Sequence, residues 1–467
     1  MKTIPLKIIA ISCLAGSLTG LAQNAALLTT FTNPTPAISD WFGHSVAAVG
    51  SDRVLVGAYQ DDTALANAGA AYLFSANGTL LTTFTKPNPW FQDAFGKAVA
   101  AVGSDRVLIG AHRDDTAWPE AGAAYLFSTN GAWLATFTNT PTSSDAFGWS
   151  VAGVGNDLVL IGAPYYYAPG TIMSGAAYLF STNGALLKTL LKPGAADYDG
   201  FGWSVAAVGT DRVVIGTPFD GTNDTGAAFL FGTDGAWATT FPNPTPEAGD
   251  NFGFAVAGVG SDRVVIGAPY DDTGAPDAGA AYLFSANGTL LTTFTNPVPQ
   301  DGANFGWSVA AVGSDRVLIG ARADSTGASG AGAAYLFSTN GTLLTTITNP
   351  TPADGDLFGV SVAAMGSDRV VIGAYEDNTG ADGAGAAYLF NIAPAGVPSL
   401  TIQLTITNTV AVFWPSPSTG FTLQQNTNRV SSVNWSNVVT GPLDDGTTKT
   451  LIINPPTGNR FYRLFKP

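Results

Sequence analysis

The chain has two histidines, His44 and His112, and they are its natural starting points for acid–base chemistry. His44 precedes Ser45, a base beside a hydroxyl. In the other copies of the repeat described below, however, the place of His44 is taken by Lys97, Trp149, Trp203, Phe254, Trp307 and Val360. A catalytic dyad set on so variable a position is a poor constellation. No His/Glu metal motif, phosphate loop or nucleotide fingerprint occurs, and no carboxylate pair stands apart from the many acids as a glycosidase pair would. The expectation is a protein that is not an enzyme. The departures from the repeat that remain are aromatic. They are Trp90 and Phe91 in Lys86-Pro-Asn-Pro-Trp90-Phe91-Gln-Asp93, Trp118, and Tyr165-Tyr166-Tyr167 with Ile172 and Met173 behind them. Exposed Trp and Tyr are favoured binding anchors, so these six aromatics form the expected contact patch. Packing against neighbouring loops is the other reading.

The elements that must carry them come from a repeat. Phe-Gly occurs at Phe42, Phe95, Phe147, Phe201, Phe252, Phe305 and Phe358, at intervals of 51 to 54 residues, which marks a repeat architecture. In the fifth copy strands are expected over 254–259, 263–268, 280–285 and 289–294, rich in Val, Ile, Tyr, Phe and Thr. The first two are apolar almost throughout, as strands buried on both faces should be. Gly260-Ser261-Asp262 makes the first tight turn and Asn287-Gly288, a strong hairpin signal, the last. Each copy is thus a four-stranded antiparallel meander, and seven of them arranged radially make an all-β, seven-bladed propeller. The seventh copy ends after Ala386-Ala-Tyr-Leu-Phe390 without a fourth strand. The missing strand, Ala26 to Pro34, stands ahead of the first Phe-Gly, so the first strand of the mature chain should complete the last blade and leave no open edge.

A meander puts the short turns on one face of such a ring, and the two-to-three loops and blade-to-blade loops on the other. That second face holds 24 of the 34 acidic residues against Lys86, Arg113, Lys192 and Arg322. Asp stands two residues before Phe in six copies (Asp40, Asp93, Asp145, Asp199, Asp250, Asp356), a regularity expected of a turn side chain bonding its own backbone. The Asp-Asp-Thr steps after the second strand are expected to serve solubility, with a cation site around Asp271 and Asp272 as the weaker alternative.

The Phe-Gly openings and Gly-Ala-Pro closings, complete at Gly162–Pro164 and Gly267–Pro269, resemble FG-GAP repeats. The resemblance covers about residues 26–392. It implies the propeller of integrin α-chain heads and of exported bacterial proteins, and with it cell adhesion or protein binding. Several integrin blades hold calcium in a long Asp-rich loop between the first two strands. Here that loop is only Gly-Ser-Asp or a variant, too short for six oxygen ligands, so neither calcium nor any cofactor is expected.

The ends of the chain read differently. Residues 1–22 suggest a cleaved secretory signal, with Lys2 and Lys7 before the apolar Ile8–Leu14 and a small-residue site at Gly20-Leu-Ala22. The only cysteine, Cys13, lies inside it, so no disulfide is expected in the mature chain. Residues 393–398 read as a Pro/Gly linker, and 399–467 as a small β-sandwich loosely similar to fibronectin-type-III modules. A formal charge of −15 argues against nucleic acid, and no segment suits membrane insertion. The expected partner is an extracellular protein or a glycan, met by a secreted or surface-held binding protein.

Overall fold

The computed structural model describes residues 9–10, 25–139, 144–221 and 223–392. In the tail it describes 401–404, 410–415, 422–426, 435–438, 441–444, 448–453 and 461–465. Apart from Ile9–Ala10, the expected signal segment with Cys13, and the linker 393–398, lie outside the described residues. Residues 25–392 form one compact unit. They fold into seven four-stranded antiparallel sheets, and no helix occurs among the described residues. Blade one is Ser45–Val49, Arg53–Ala58, Ala70–Ser75 and Leu80–Phe84. Blade five, over Ala255–Val259, Arg263–Ala268, Ala280–Ser285 and Leu290–Thr295, falls within a residue of the expected strands.

The first strands of successive blades touch one another all the way round, and that of blade seven touches that of blade one. The ring is closed. Its last sheet is Ser361–Met365, Arg369–Ala374, Ala386–Asn391 and, as the outer strand, Ala26–Thr32. The displaced strand pairs antiparallel with register Phe31 to Ala387 and Thr30 to Tyr388.

One expectation needs correction. The second and third strands are the fully buried ones, whereas the first is mostly half-buried. Its residues line the middle of the ring, where seven strands converge and no further layer covers them. Their apolar character comes instead from small residues, chiefly Ala and Val, that let seven backbones approach.

The blade interface is made by backbone. Gly96 of the second Phe-Gly has φ +93°, and a Cβ there would overlap the Ala70 carbonyl of blade one. Gly57, the glycine of blade one's second strand, lies so close that its own Cβ would overlap the Gly96 carbonyl. Only glycine allows both the left-handed dihedral and the contact. The same pair recurs between blades seven and one as Gly373 and Gly43. Around it, Phe95 N donates to Ala68 O at 2.9 Å and Ser45 Oγ to Gly96 O at 2.9 Å. At the short-turn end Arg53 Nη2 donates to Ser104 O at 2.5 Å, and Arg369 closes the ring by donating to Ser51 O. The seven Phe-Gly phenylalanines are completely buried. Truncating one to alanine would cost about 3–5 kcal/mol.

The tail carries two further sheets. One orders Thr401–Leu404, Val410–Pro415, Thr448–Ile453 and Leu443–Asp444, and the other holds Phe461–Phe465, Thr422–Asn426 and Ser436–Asn437. Ile9–Ala10 adds a two-residue parallel pairing to Phe461 and Tyr462. Val412, Trp414, Leu423, Leu451, Tyr462 and Leu464 from the two sheets share one buried cluster.

Removing residues 26–34 should unpair the outer edge of blade seven and uncover Phe390 and Ala387. A sharply lower melting temperature or aggregation is expected. An unchanged melting temperature would contradict closure by this strand.

Candidate functional site

The long-loop face is built on buried polar clusters. Eleven of its 24 acids are buried: Asp40, Asp61, Asp93, Asp114, Asp145, Asp199, Asp250, Asp271, Asp324, Asp356 and Asp377. As expected from its spacing, the Asp before Phe-Gly bonds its own turn, with Ala37 N donating to Asp40 Oδ2 at 2.6 Å and Ala353 N to Asp356 Oδ2 at 2.7 Å. The turn thus held ends in a residue of positive φ, Trp41 at 58° and Leu357 at 58°, which otherwise costs about 1–2 kcal/mol.

The first Asp of the Asp-Asp-Thr steps was expected to serve solubility, and the structure corrects this. Asp61 accepts from Thr63 N at 2.7 Å and from the Tyr72 hydroxyl at 2.6 Å, and the same bonds recur at Asp271 and Asp377. A side chain just after the fourth strand bridges the two acids. In blade one Asn33 Nδ2 donates to Asp40 at 2.7 Å and Asp61 at 2.9 Å. In blades two and four a lysine does so: Lys86 lies 3.0 Å from Asp93 and 2.9 Å from Asp114, and Lys192 lies 3.0 Å from Asp199 and 2.6 Å from Asp220. Each lysine offsets one of the two negative charges, and burial still raises Asp93 and Asp199 above the ordinary carboxylate range. Where an asparagine stands instead, burial pushes Asp40, Asp250 and Asp356 up to about 6.

A second feature lies around the axis at the same end of the ring. Strand one of each blade begins there and strand two ends there. A chain of ring contacts runs from Tyr375 to His44 (5.4 Å between centroids), Tyr59 (4.6 Å), His112 (6.4 Å), Trp149 (5.1 Å), Trp203 (4.7 Å), Phe254 (5.5 Å) and Trp307 (4.4 Å). The Arg322 guanidinium stacks on Trp307 at 3.2 Å and interacts electrostatically with Tyr375. Lys97 Nζ sits between the Tyr59 ring at 4.9 Å and the Trp149 ring at 4.6 Å, 3.3 Å from His44 Nε2. Most of these side chains are half-buried, as lining residues are.

The charge of this hub is opposite to that of the loops around it. Lys97, Arg113 and Arg322 form no salt bridge among the described residues; Arg322 Nε reaches only the Asn304 amide oxygen, at 3.2 Å. Burial and Arg113 lower Lys97 to about 8, and burial together with Lys97 holds both histidines well below their ordinary range, neutral at pH 7. Trp41 Nε1, His44 Nδ1 and His112 Nδ1 are buried without a hydrogen-bond partner. Such groups are rare enough to mark a place of interest. A cleft of about 210 Å³ opens beside the ring, lined by Tyr165, Met173, Tyr198, Gly200, Phe219 and Asp224.

The expected aromatic patch divides. Trp90, Phe91 and Trp118 are exposed at 64%, 53% and 53%, and Tyr167 at 38%. Tyr165 belongs to the hub, with its ring 5.8 Å from Trp149, and Tyr166 packs edge-on against the buried Tyr178 at 6.0 Å. Gln92 N bonds Ala66 O of blade one, which places the Trp90 loop beside that blade's two-to-three loop, whereas Trp118 sits by the loop entering blade three, where Ser144 reaches Pro119 O. No ring contact joins Trp90, Phe91 or Trp118 to the tyrosines among the described residues.

Sequence reasoning missed the hub. Its signal is the variation at the place of His44 beside an invariant Phe-Gly.

Asp271 spends Oδ1 on Thr273 N at 2.9 Å and Oδ2 on Tyr282 and Thr245, while Asp272 Oδ1 accepts from Asp277 N at 2.8 Å. Among the described residues no group of three or more His, Cys, Asp or Glu is arranged to hold a metal ion.

Two measurements follow from these clusters. Carboxyls raised in the folded state stabilise it while protonated, in full below about pH 4, and lose that contribution as pH rises through 6. The protein should melt higher at pH 5 than at pH 7.5. Asp356→Asn keeps an oxygen for Asn349 and Ala353 and should shrink the difference; an equal slope in the variant would rule out this source. Melting curves with calcium and with chelator should nearly coincide, and a large upward shift with calcium would show a cation held by the acidic loops.

The FG-GAP repeat family matches the chain in seven segments: 31–74, 82–127, 141–180, 187–231, 246–284, 293–337 and 343–390. No curated protein sequence matches it. Among solved structures it is similar to the WD40 β-propeller domain of Doa1, at a TM-score of 0.50 and 14% identity over 79% of this chain and 97% of that one. It is also similar to the C-terminal WD40 domain of Sif2, at 0.47 and 11% over 80% and 100%. At these identities the first speaks to the fold alone, and the second carries no weight. Every matched segment spans the phenylalanine, glycine and second-strand residues that make the blade interface, and on that ground the chain belongs to the FG-GAP repeat family.

Proposed function

We propose that this is an exported, non-catalytic binding protein whose partner docks on the long-loop face of the propeller. One observation carries the reading. The short-turn end repeats one device in six of the seven blades, an arginine bonded to the next blade's turn carbonyl. The long-loop end departs from the repeat in exposed Trp90, Phe91 and Trp118 and in the hub. Binding residues concentrate where loops vary on a rigid frame. Among the described residues no helix is long and apolar enough to cross a membrane. The N-terminal pattern of Lys2, Lys7 and an apolar run supports export. The integrin-like adhesion role and a spacer role for the fibronectin-like tail are the finer forms of this reading. A glycan partner is the second form, favoured by three exposed flat rings able to stack on sugar.

Capture from cell-surface extracts and glycan arrays, followed by affinity measurement on the captured ligand, tests it. Trp90→Ala and Trp118→Ala should each weaken binding roughly 30-fold, as loss of ~2 kcal/mol at an aromatic anchor requires. Asp272→Ala, exposed on the same face in blade five, should change it little. Normal binding by both tryptophan variants would remove the patch from the site.

A further inference from the structure

The hub gathers cations from separate blades around a ring of aromatic faces. Lys97 comes from blade two and Arg322 from blade six, and both act electrostatically on His44 of blade one. Neither meets a carboxylate among the described residues, although the surrounding loops are rich in them. Glu376 acts electrostatically on Tyr59 and Tyr375 but forms no salt bridge with either cation among the described residues. Half-buried cations held on ring faces, without counter-ions, are costly to assemble unless a ligand supplies the charge.

We propose that the hub binds a single acidic sugar residue, a uronate at the end of a glycan, with its carboxylate between Lys97 and Arg322 and its ring against Trp203. This deepens the binding-protein reading and rests on it. Three observations select this ligand. The anion is required by the unpaired ammonium and guanidinium, the latter suited to carboxylate. A cyclic body is favoured by the flat faces of Trp203 and Phe254, on which no cation stacks among the described residues. A single acidic residue is favoured over a polyanion because the exposed acids of the loops, Asp62, Asp115 and Asp272 among them, would repel a run of charges. Two residues that line the nearby cleft, Tyr165 and Phe219, touch the Trp149 and Trp203 rings, so the cleft borders the hub and offers room for the next residue of the glycan.

The test is titration of the full chain with D-glucuronate, D-glucose and N-acetylglutamate, observed by calorimetry and saturation-transfer NMR. Glucuronate should bind, and glucose, which lacks only the charge, should bind at least about tenfold more weakly. Arg322→Gln and Lys97→Met should each reduce glucuronate binding about tenfold or more without lowering the melting temperature, and Trp203→Leu should reduce binding of both sugars. Should either charge variant unfold, Arg322→Lys, which keeps the cation, is expected to retain most of the binding. Equal affinity for glucose and glucuronate, or no glucuronate signal, overturns the proposal. Tighter binding of N-acetylglutamate also overturns it, in favour of an acidic peptide. If glucuronate fails to bind while partner capture still depends on Trp90 or Trp118, the hub proposal falls and the binding-protein reading stands. If glucuronate binds but no variant on the face affects capture, the reverse holds.

Discussion

Where one blade meets the next, two stretches of backbone touch with no side chain between them. The Phe-Gly glycine presses its carbonyl onto the second-strand glycine of the preceding blade, and its own Cα against the first carbonyl of that blade's third strand. Everything larger depends on this contact. It sets the spacing between blades and, repeated seven times with Gly373 on Gly43 as the last, allows the ring to close on itself. The buried phenylalanine beside each glycine fills the wedge that opens outward, and serine, threonine and arginine side chains then bond across to carbonyls of the next blade. A propeller of this kind is stabilised by burial and by hydrogen bonds between repeats, with each interface nearly a copy of the others.

The acidic loops follow from the same constraint. Each must turn sharply to bring the chain back to the next Phe-Gly, which leaves a residue of positive φ and several backbone amides without strand partners. Buried aspartates supply the acceptors. Two carboxylates at one turn need something between them, and the chain uses an asparagine or a lysine. Much of the negative charge is therefore internal scaffolding. The hub differs because its cations meet no carboxylate among the described residues, so the charge reverses from loops to axis.

Much of this was legible from local pattern. Strand positions could be read because runs of Val, Ile, Tyr, Phe and Thr, Asn-Gly hairpins and glycine turns act within a few residues. The displaced strand could be read because Ala26–Pro34 repeats a segment whose place is otherwise empty. The role of Asp40 and its equivalents could be read from constant spacing to Phe-Gly. The burial of Asp61 and Asp271 could not, because Asp-Asp-Thr looks like any solvated turn until Tyr72 or Tyr282, eleven residues on, is seen to donate to it. The half-burial of the first strands was also beyond reach, since an apolar run looks alike in a layered core and round an open axis.

By itself the sequence determined the repeat, the meander, the number of blades and the means of closure, because each is specified by residues near one another or by copies of one pattern. Only the tertiary structure decided where the chemistry sits. His44, Lys97, Trp149, Trp203, Phe254 and Trp307 are about fifty residues apart in turn and look like drift at a tolerant position. Radial symmetry brings equivalent positions of all seven blades to one axis, so that variation spread along the chain becomes a single ring of side chains in contact. Trp90 and Trp118, conspicuous in the sequence, end on separate loops, and Tyr165, named with them, faces the hub instead.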